Sequence, residues 1–169
     1  IMPTLPLFDL VFADPPFNLN QDYEGFVDKR VDYIDWTHQW LDAAWARTKG
    51  VMAIHGPDLM ADLTILWAHQ RGILRHRISW INWHYQFGQC GKHSWIDARC
   101  HCMIFAANLK KHTWNPDAVR IDSLRKTDYA DKRINDTENG GTKVPGTVWG
   151  IPADGRYWGR VQGNSEERR

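Results

Sequence analysis

Cysteine is scarce in this 169-residue sequence. Cys90, Cys100 and Cys102 are three in number, too few and too uneven to staple a small secreted fold, so reduced thiols in a reducing compartment are expected. No run of 18 apolar residues occurs, which excludes a bilayer-spanning helix of ordinary length. No basic stretch followed by an apolar one marks secretion, and the expected location is the cytoplasm, away from membranes. There is no internal repeat. The sequence opens on Ile1 and closes on Ser165-Glu166-Glu167-Arg168-Arg169 without a final helical pattern, and a fragment is expected. What is abundant is tryptophan, 10 residues, in a chain whose 43% apolar content and length suffice to bury a core.

Charge is unevenly spread. The formal net charge of +1 averages a first stretch, residues 1–70, with 4 basic and 10 acidic side chains, and a second, residues 71–112, with 7 and 1. The basic stretch carries Arg71, Arg75, Arg77, Lys92, Arg99, Lys110 and Lys111 beside His76, His84, His93 and Trp83, a composition suited to facing phosphates. Charge counting alone equally describes an ordinary solvated face.

Along the chain, Leu7–Ala13 is a short apolar run of the kind buried on both faces of a parallel sheet, ended by Pro15 and Pro16. From about Tyr33 to Arg47, Trp36, Trp40, Ala43 and Ala44 recur at helical spacing, and Gly50 follows. Val51–His55 reads as a second strand. Gly56-Pro57-Asp58 then reads as a turn with Asp58 as N-cap, leading to a helix from about Leu59 to Gln70 that Gly72 stops. Ile78–Tyr85 and Cys100–Ala107 are further strand candidates. This alternation predicts an α/β fold in which right-handed crossovers build a mostly parallel sheet covered by helices on both faces. After Asn108 the apolar periodicity fades into about forty polar residues, the mark of a functional insertion or of disorder.

The most specific signal is Ala13-Asp14-Pro15-Pro16-Phe17-Asn18, placed directly after the first strand. Ligands of open α/β sheets bind beyond the carboxyl ends of the strands, which is where this turn falls. Two consecutive prolines stiffen the backbone and remove two donors. An aspartate beside their carbonyls makes an acceptor-only cluster, and Phe17 adds a flat ring. Such a site suits a planar base with an exocyclic amine: acceptors for both N–H groups draw the nitrogen lone pair out of conjugation and favour the positive charge that develops on alkylation. In a duplex that amine is buried, so the base must be flipped out at a cost of a few kcal/mol, of which stacking on Phe17 returns roughly 1–3 kcal/mol.

These residues resemble the catalytic motif of the DNA amino-methyltransferases, which methylate adenine N6 or cytosine N4. The likeness extends from Asp9–Leu19 through the helix with Trp36 and Trp40, Ile81–Gly88, Asp131-Lys132-Arg133 and Val148-Trp149-Gly150-Ile151-Pro152 to Glu167-Arg168-Arg169. It is similar to the arrangement called β-type, in which the catalytic motif comes first and the cofactor motif last. The resemblance implies a Rossmann-like methyltransferase fold represented by about half its sheet, S-adenosylmethionine as cofactor, and double-stranded DNA as partner. It implies that Asp14 and the Pro15 carbonyl accept from the target amine, that Pro16 holds the turn and that Phe17 stacks on the base. Asn18, Tyr85 and Phe87 become candidate walls of the base pocket, and Arg75, Arg77, Lys92, Lys110, Lys111, Lys132 and Arg133 candidate DNA contacts. It divides the chain into a catalytic half (1–108), a target-recognition insertion (109–147) and a return segment (148–169). A homodimer and a companion restriction endonuclease remain open as partners, as does the choice between the two amines.

The family's glycine-rich cofactor turn has no counterpart. Gly88-Gln89-Cys90-Gly91 leads into no helix pattern and Asn139-Gly140-Gly141-Thr142 sits in a polar stretch, so the segment by itself is expected to be inactive. Two other readings compete. Cys90-x-x-His93 with Cys100-His101-Cys102 would serve a zinc-containing nucleic-acid module, although paired Cys-x-x-Cys spacing is missing and strand geometry sends His101 to the opposite face from the two cysteines; no metal is expected. A methyltransferase acting on RNA or on a protein amide is the other; the glutamine-modifying enzymes resemble this site with Asn in place of Asp, so Asp14 favours a nucleobase.

Overall fold

The computed structural model describes residues 4–85, 92–123, 125 and 140–151. Two compact units are present, one made of residues 1–82 and 99–113, the other of residues 83–98 and 114–169.

In the first unit the apolar run becomes strand β1 (Phe8–Ala13), followed by a small hairpin of β2 (Asp22–Tyr23) and β3 (Phe26–Val27). Helix α1 (Tyr33–Trp45), strand β4 (Thr48–Gly56) and helix α2 (Asp58–Gln70) come next. Strand β5 (Arg77–Tyr85) leads to β6 (Arg99–Ala106). The second unit carries a ribbon of β7 (Ile121–Asp122) and β8 (Thr142–Lys143), then β9 (Val148–Ile151).

The sheet runs β1-β4-β6-β5. β1 and β4 are parallel, with Ala13 opposite Ile54, whereas β6 runs antiparallel to β4, with Gly56 opposite His101 and Val51 opposite Ala106. β5 is antiparallel to β6 too, because His76 Nδ1 donates to the Ala106 carbonyl (2.8 Å) and the Tyr85 amide to that of Ala98 (3.0 Å). The α/β architecture stands, and β1, β4 and β5 share one direction. The reversed β6 between β4 and β5 makes the sheet mixed rather than nearly all parallel.

Both helices lie on one face. Successive right-handed crossovers that advance in the same direction must place them so. Met52 and Ile54 of β4, and Met103 and Phe105 of β6, alternate toward that face and pack with Leu41 and Ala44 of α1 and Met60, Leu63 and Trp67 of α2. Trp67 is fully buried, edge-on to Phe105, and its indole N–H donates to Asp42 Oδ1 (2.8 Å) across the helix pair. The fully packed stripe of α1 is Tyr33, Thr37, Leu41 and Ala44, one position off the tryptophans; Trp36 and Trp40 pack on its margin.

Two expectations change. β1 is not buried on both faces: only Val11 packs against the core, while Leu10 and Phe12 are 61% and 58% exposed, because β1 pairs with β4 alone and no helix of the first unit covers the other face. Asp58 is not an N-cap. Extended Pro57 takes that place, and Asp58 begins the helix with its carboxylate turned to Arg99 and His101.

Candidate active site

β1 ends at Ala13, so Asp14 projects from the carboxyl end of the sheet beside the end of β4. There its Oδ1 lies 3.0 Å from Nδ1 of His55. An ionised carboxylate only accepts, so that nitrogen carries the proton. The Asp14 side chain is 56% exposed and the imidazole only 15%, leaving the acid open to a guest and its partner walled in. Phe17, half-buried, stands edge-on to His55 with ring centres 6.0 Å apart. Gly56 permits this crowding: a Cβ there would lie 2.6 Å from Met60 Cβ and 3.4 Å from the Phe17 ring.

The turn is held from behind by Tyr33, whose hydroxyl donates to the Pro16 carbonyl (2.7 Å). Burial pushes the Tyr33 pKa up to about 12, the nearby Asp28 charge adds to the rise and a hydrogen bond with Thr37 opposes it, so the phenol is a neutral donor at any working pH. The Pro16 carbonyl thereby ties the turn to α1.

Beyond Phe17 the chain is folded around one carboxylate. Asn18 and Asn20 both take left-handed backbone (φ 62°), a conformation that asparagine tolerates. Asn18 Oδ1 accepts from the Arg30 amide (2.7 Å), and buried Asp28 accepts from the amides of Leu19 (3.0 Å) and Gln21 (2.8 Å). Burial raises the Asp28 pKa, but the amides of Leu19, Gln21, Asn20 and Asn18 together outweigh it and the net shift is downward. Asn18 thus fixes the loop that follows the turn, with its side-chain oxygen engaged.

A second polar cluster lies at the same end of the sheet. Arg99 grips Asp58 with two nitrogens (3.1 and 2.9 Å), and His101 Nε2 lies 2.6 Å from Asp58 Oδ1. The Trp80 indole donates to His101 Nδ1 (2.9 Å). His101 is accordingly the Nε2-protonated tautomer with both nitrogens used. Arg99 first, then His101, bring the Asp58 pKa down to about 2, and burial raises that of Cys102. Among the described residues no group of three His, Cys, Asp or Glu side chains is arranged to hold a metal, and Cys90 lies outside them.

The basic stretch does not form one surface. Arg75 and Arg77 lie where β5 begins, and Lys110 and Lys111 follow the end of β6, which is the end of the sheet opposite Asp14. Five steps along β6, from His101 to Ala106, separate the two ends by roughly 17 Å. Arg77 covers the Trp80 ring (5.0 Å). Lys110 and Lys111 are removed from the turn by the reversal of β6, a tertiary effect that charge counting along the chain does not register, and Arg75 and Arg77 by their place at the amino end of a strand parallel to β1. Lys92 is exposed in the second unit, and Tyr85 there is half-buried. Phe87, Lys132 and Arg133 lie outside the described residues. Sequence reasoning overlooked His55 and Tyr33. The signal for His55 was its place at the carboxyl end of the strand following the Asp14 turn; Tyr33 carried none beyond helical spacing.

The first unit is thus an α/β sheet with an acceptor-lined turn and an adjoining ring at the carboxyl end of β1. The family model described as DNA methylase matches residues 8–168, and the chain belongs to that family. It is similar to the type II methyltransferase M.HpaI of Haemophilus parainfluenzae (27% identity; 67% of this chain, 37% of the relative). It is likewise similar to the DNA adenine methyltransferase YhdJ of Escherichia coli K12 (26%; 85% and 51%) and the type II methyltransferase M1.MboII of Moraxella bovis (25%; 94% and 59%). The chain thus spans between about a third and three-fifths of the length of these curated relatives.

DNA methyltransferases of this family use S-adenosylmethionine as methyl donor. Among the described residues no open glycine turn joins a strand to a helix. Gly25, Gly72, Gly140 and Gly141, the glycines with left-handed backbone, lie in the β2–β3 turn, after α2 and before β8, and the strand-to-helix turn at Gly56 is filled by Met60 and Phe17. No helix among the described residues is long and apolar enough to cross a membrane.

Proposed function

We propose that the protein containing this chain methylates the exocyclic amine of adenine (N6) or cytosine (N4) in double-stranded DNA, after the base has been flipped out of the helix. The observation that carries this is the Asp14-Pro15-Pro16-Phe17 turn, with Asp14 exposed at the carboxyl end of β1 and the backbone tied down through Pro16. The Asp14 carboxylate and the Pro15 carbonyl accept the two amine hydrogens and stabilise the positive charge that grows on nitrogen; Phe17 stacks on the base. S-adenosylmethionine supplies the electrophilic methyl group. Asn18 contributes to the base pocket through the loop it pins. Lys92, Lys132 and Arg133 are the basic candidates for phosphate contact, and residues 109–147 serve as the target-recognition region. The type II names of the relatives make a cytoplasmic restriction-modification setting, with a companion endonuclease and a homodimeric enzyme, the context to examine.

Asp14→Ala in the full-length protein tests this. Methyl transfer to DNA should fall by about a hundredfold or more while DNA affinity changes little. Transfer at a near wild-type rate would refute the role of Asp14.

A further inference from the structure

We infer that His55 is a positioning residue that orients the Asp14 carboxylate, an assignment that rests on the function proposed above. Asp14 is on a turn, more than half exposed, and by itself would sample several side-chain rotamers. The parallel register puts Ala13 opposite Ile54, so the next residues, Asp14 and His55, emerge side by side at the carboxyl end of the β1–β4 pair. Met52 and Ile54 face the helices, so His55 faces the other way, where the uncovered side of β1 also lies.

The imidazole is the rigid member of the pair. It is largely enclosed, Phe17 stands against it edge-on, and it belongs to the last turn of a strand whose neighbours Ile54 and Gly56 are buried. Its Nδ1–H donates to Asp14 Oδ1 at 3.0 Å. One carboxylate oxygen is thereby held, and the other is left with a defined direction from which to meet an amine. A hydrogen bond donated to one oxygen uses only part of the carboxylate's accepting capacity, so the other oxygen stays open to the amine. The same ring sets the position of Phe17. Acceptor and stacking surface are consequently both referred to one side chain on β4.

The test follows from which atom donates. An asparagine at position 55 puts an amide N–H at the same distance from the backbone as Nδ1, whereas a glutamine puts it one bond farther out. Steady-state methyl transfer to duplex DNA is measured for the full-length protein and for His55→Ala, His55→Asn and His55→Gln, with circular dichroism to establish folding. His55→Ala should lower kcat by about ten- to a hundredfold, the scale of a misplaced reacting group, with KM for DNA within about twofold of wild type. His55→Asn should recover most of the loss and His55→Gln little. If His55→Ala does not fold, the Asn and Gln variants alone decide the matter, since they differ by one methylene. Equal rates for Asn and Gln, an unchanged kcat in His55→Ala, or a loss confined to KM would overturn the assignment while leaving the proposed function in place. A wild-type protein that folds and methylates no DNA would overturn the function and this assignment together.

Discussion

Tyr33→Phe isolates the anchor of the catalytic turn. The substitution keeps the ring in the core, where Tyr33 is only 4% exposed and packs 5.7 Å from Trp36 between ring centres, and deletes only the hydroxyl that donates to the Pro16 carbonyl at 2.7 Å. Losing a hydrogen bond of this kind costs about 1 kcal/mol, and a partly buried carbonyl left without its donor adds to that, so a loss of about 1–2 kcal/mol is expected. At roughly 2–4 °C per kcal/mol for a domain of this size, Tm should fall by a few degrees. The turn also gains freedom where Asp14 and Phe17 must be placed to within a fraction of an ångström, and kcat should drop about tenfold with DNA affinity unchanged. Urea unfolding of the full-length protein, followed by tryptophan fluorescence, reads the first effect, and single-turnover methyl transfer reads the second. Because the pKa of Tyr33 is raised from 10.0 to about 12, its extra stabilisation is fully present below pH 10 and lost as pH rises toward and through 12. A Phe variant as stable and as fast as wild type would refute the anchoring role.

Two further substitutions or conditions bear on the framework. Asp58, brought from 3.8 to about 2 by Arg99 and His101, contributes stability that is complete above pH 3.8 and lost as pH falls through about 2. Since the carboxylate is half exposed, this amounts to about 1 kcal/mol after screening, and Asp58→Asn should flatten that part of the acid-unfolding curve; an unaltered curve would contradict the pairing. Gly50→Ala should cost about 3 kcal/mol or more in urea unfolding, because the new Cβ would lie 2.1 Å from the Asp9 carbonyl oxygen on β1 and the strands cannot stay in register; a neutral substitution would contradict the β1–β4 packing.

Much of this was visible in the residues alone. Leu7–Ala13, the helical spacing around Trp36 and Trp40, and the apolar runs at Val51, Ile78 and Cys100 mark elements whose observed limits differ by a few residues at most. Local pattern suffices there because burial on one face imposes it. The Asp14 turn was legible for another reason: consecutive prolines after an apolar strand leave few alternatives. What escaped is tertiary. Nothing in the stretch Arg99–Ala106 announces that it inserts, reversed, between β4 and β5, and that insertion is what sends Lys110 and Lys111 to the far end of the sheet from Asp14. Asp28 looked like one acid among ten in the first seventy residues; only the folded loop reveals it as the acceptor around which Leu19 and Gln21 are arranged. His55 gains its meaning solely from the register that sets it beside Asp14.

The central claim is that the chemistry at Asp14 is methylation of a base amine in DNA. Mass spectrometry of nucleosides from the DNA of cells expressing the full-length protein, against cells expressing its Asp14→Ala variant, tests it most directly. The account predicts N6-methyladenine or N4-methylcytosine above background with the wild-type protein and neither with the variant. Equal levels of either modified base in both cultures, or an amine-methylated base in RNA and none in DNA, would contradict it.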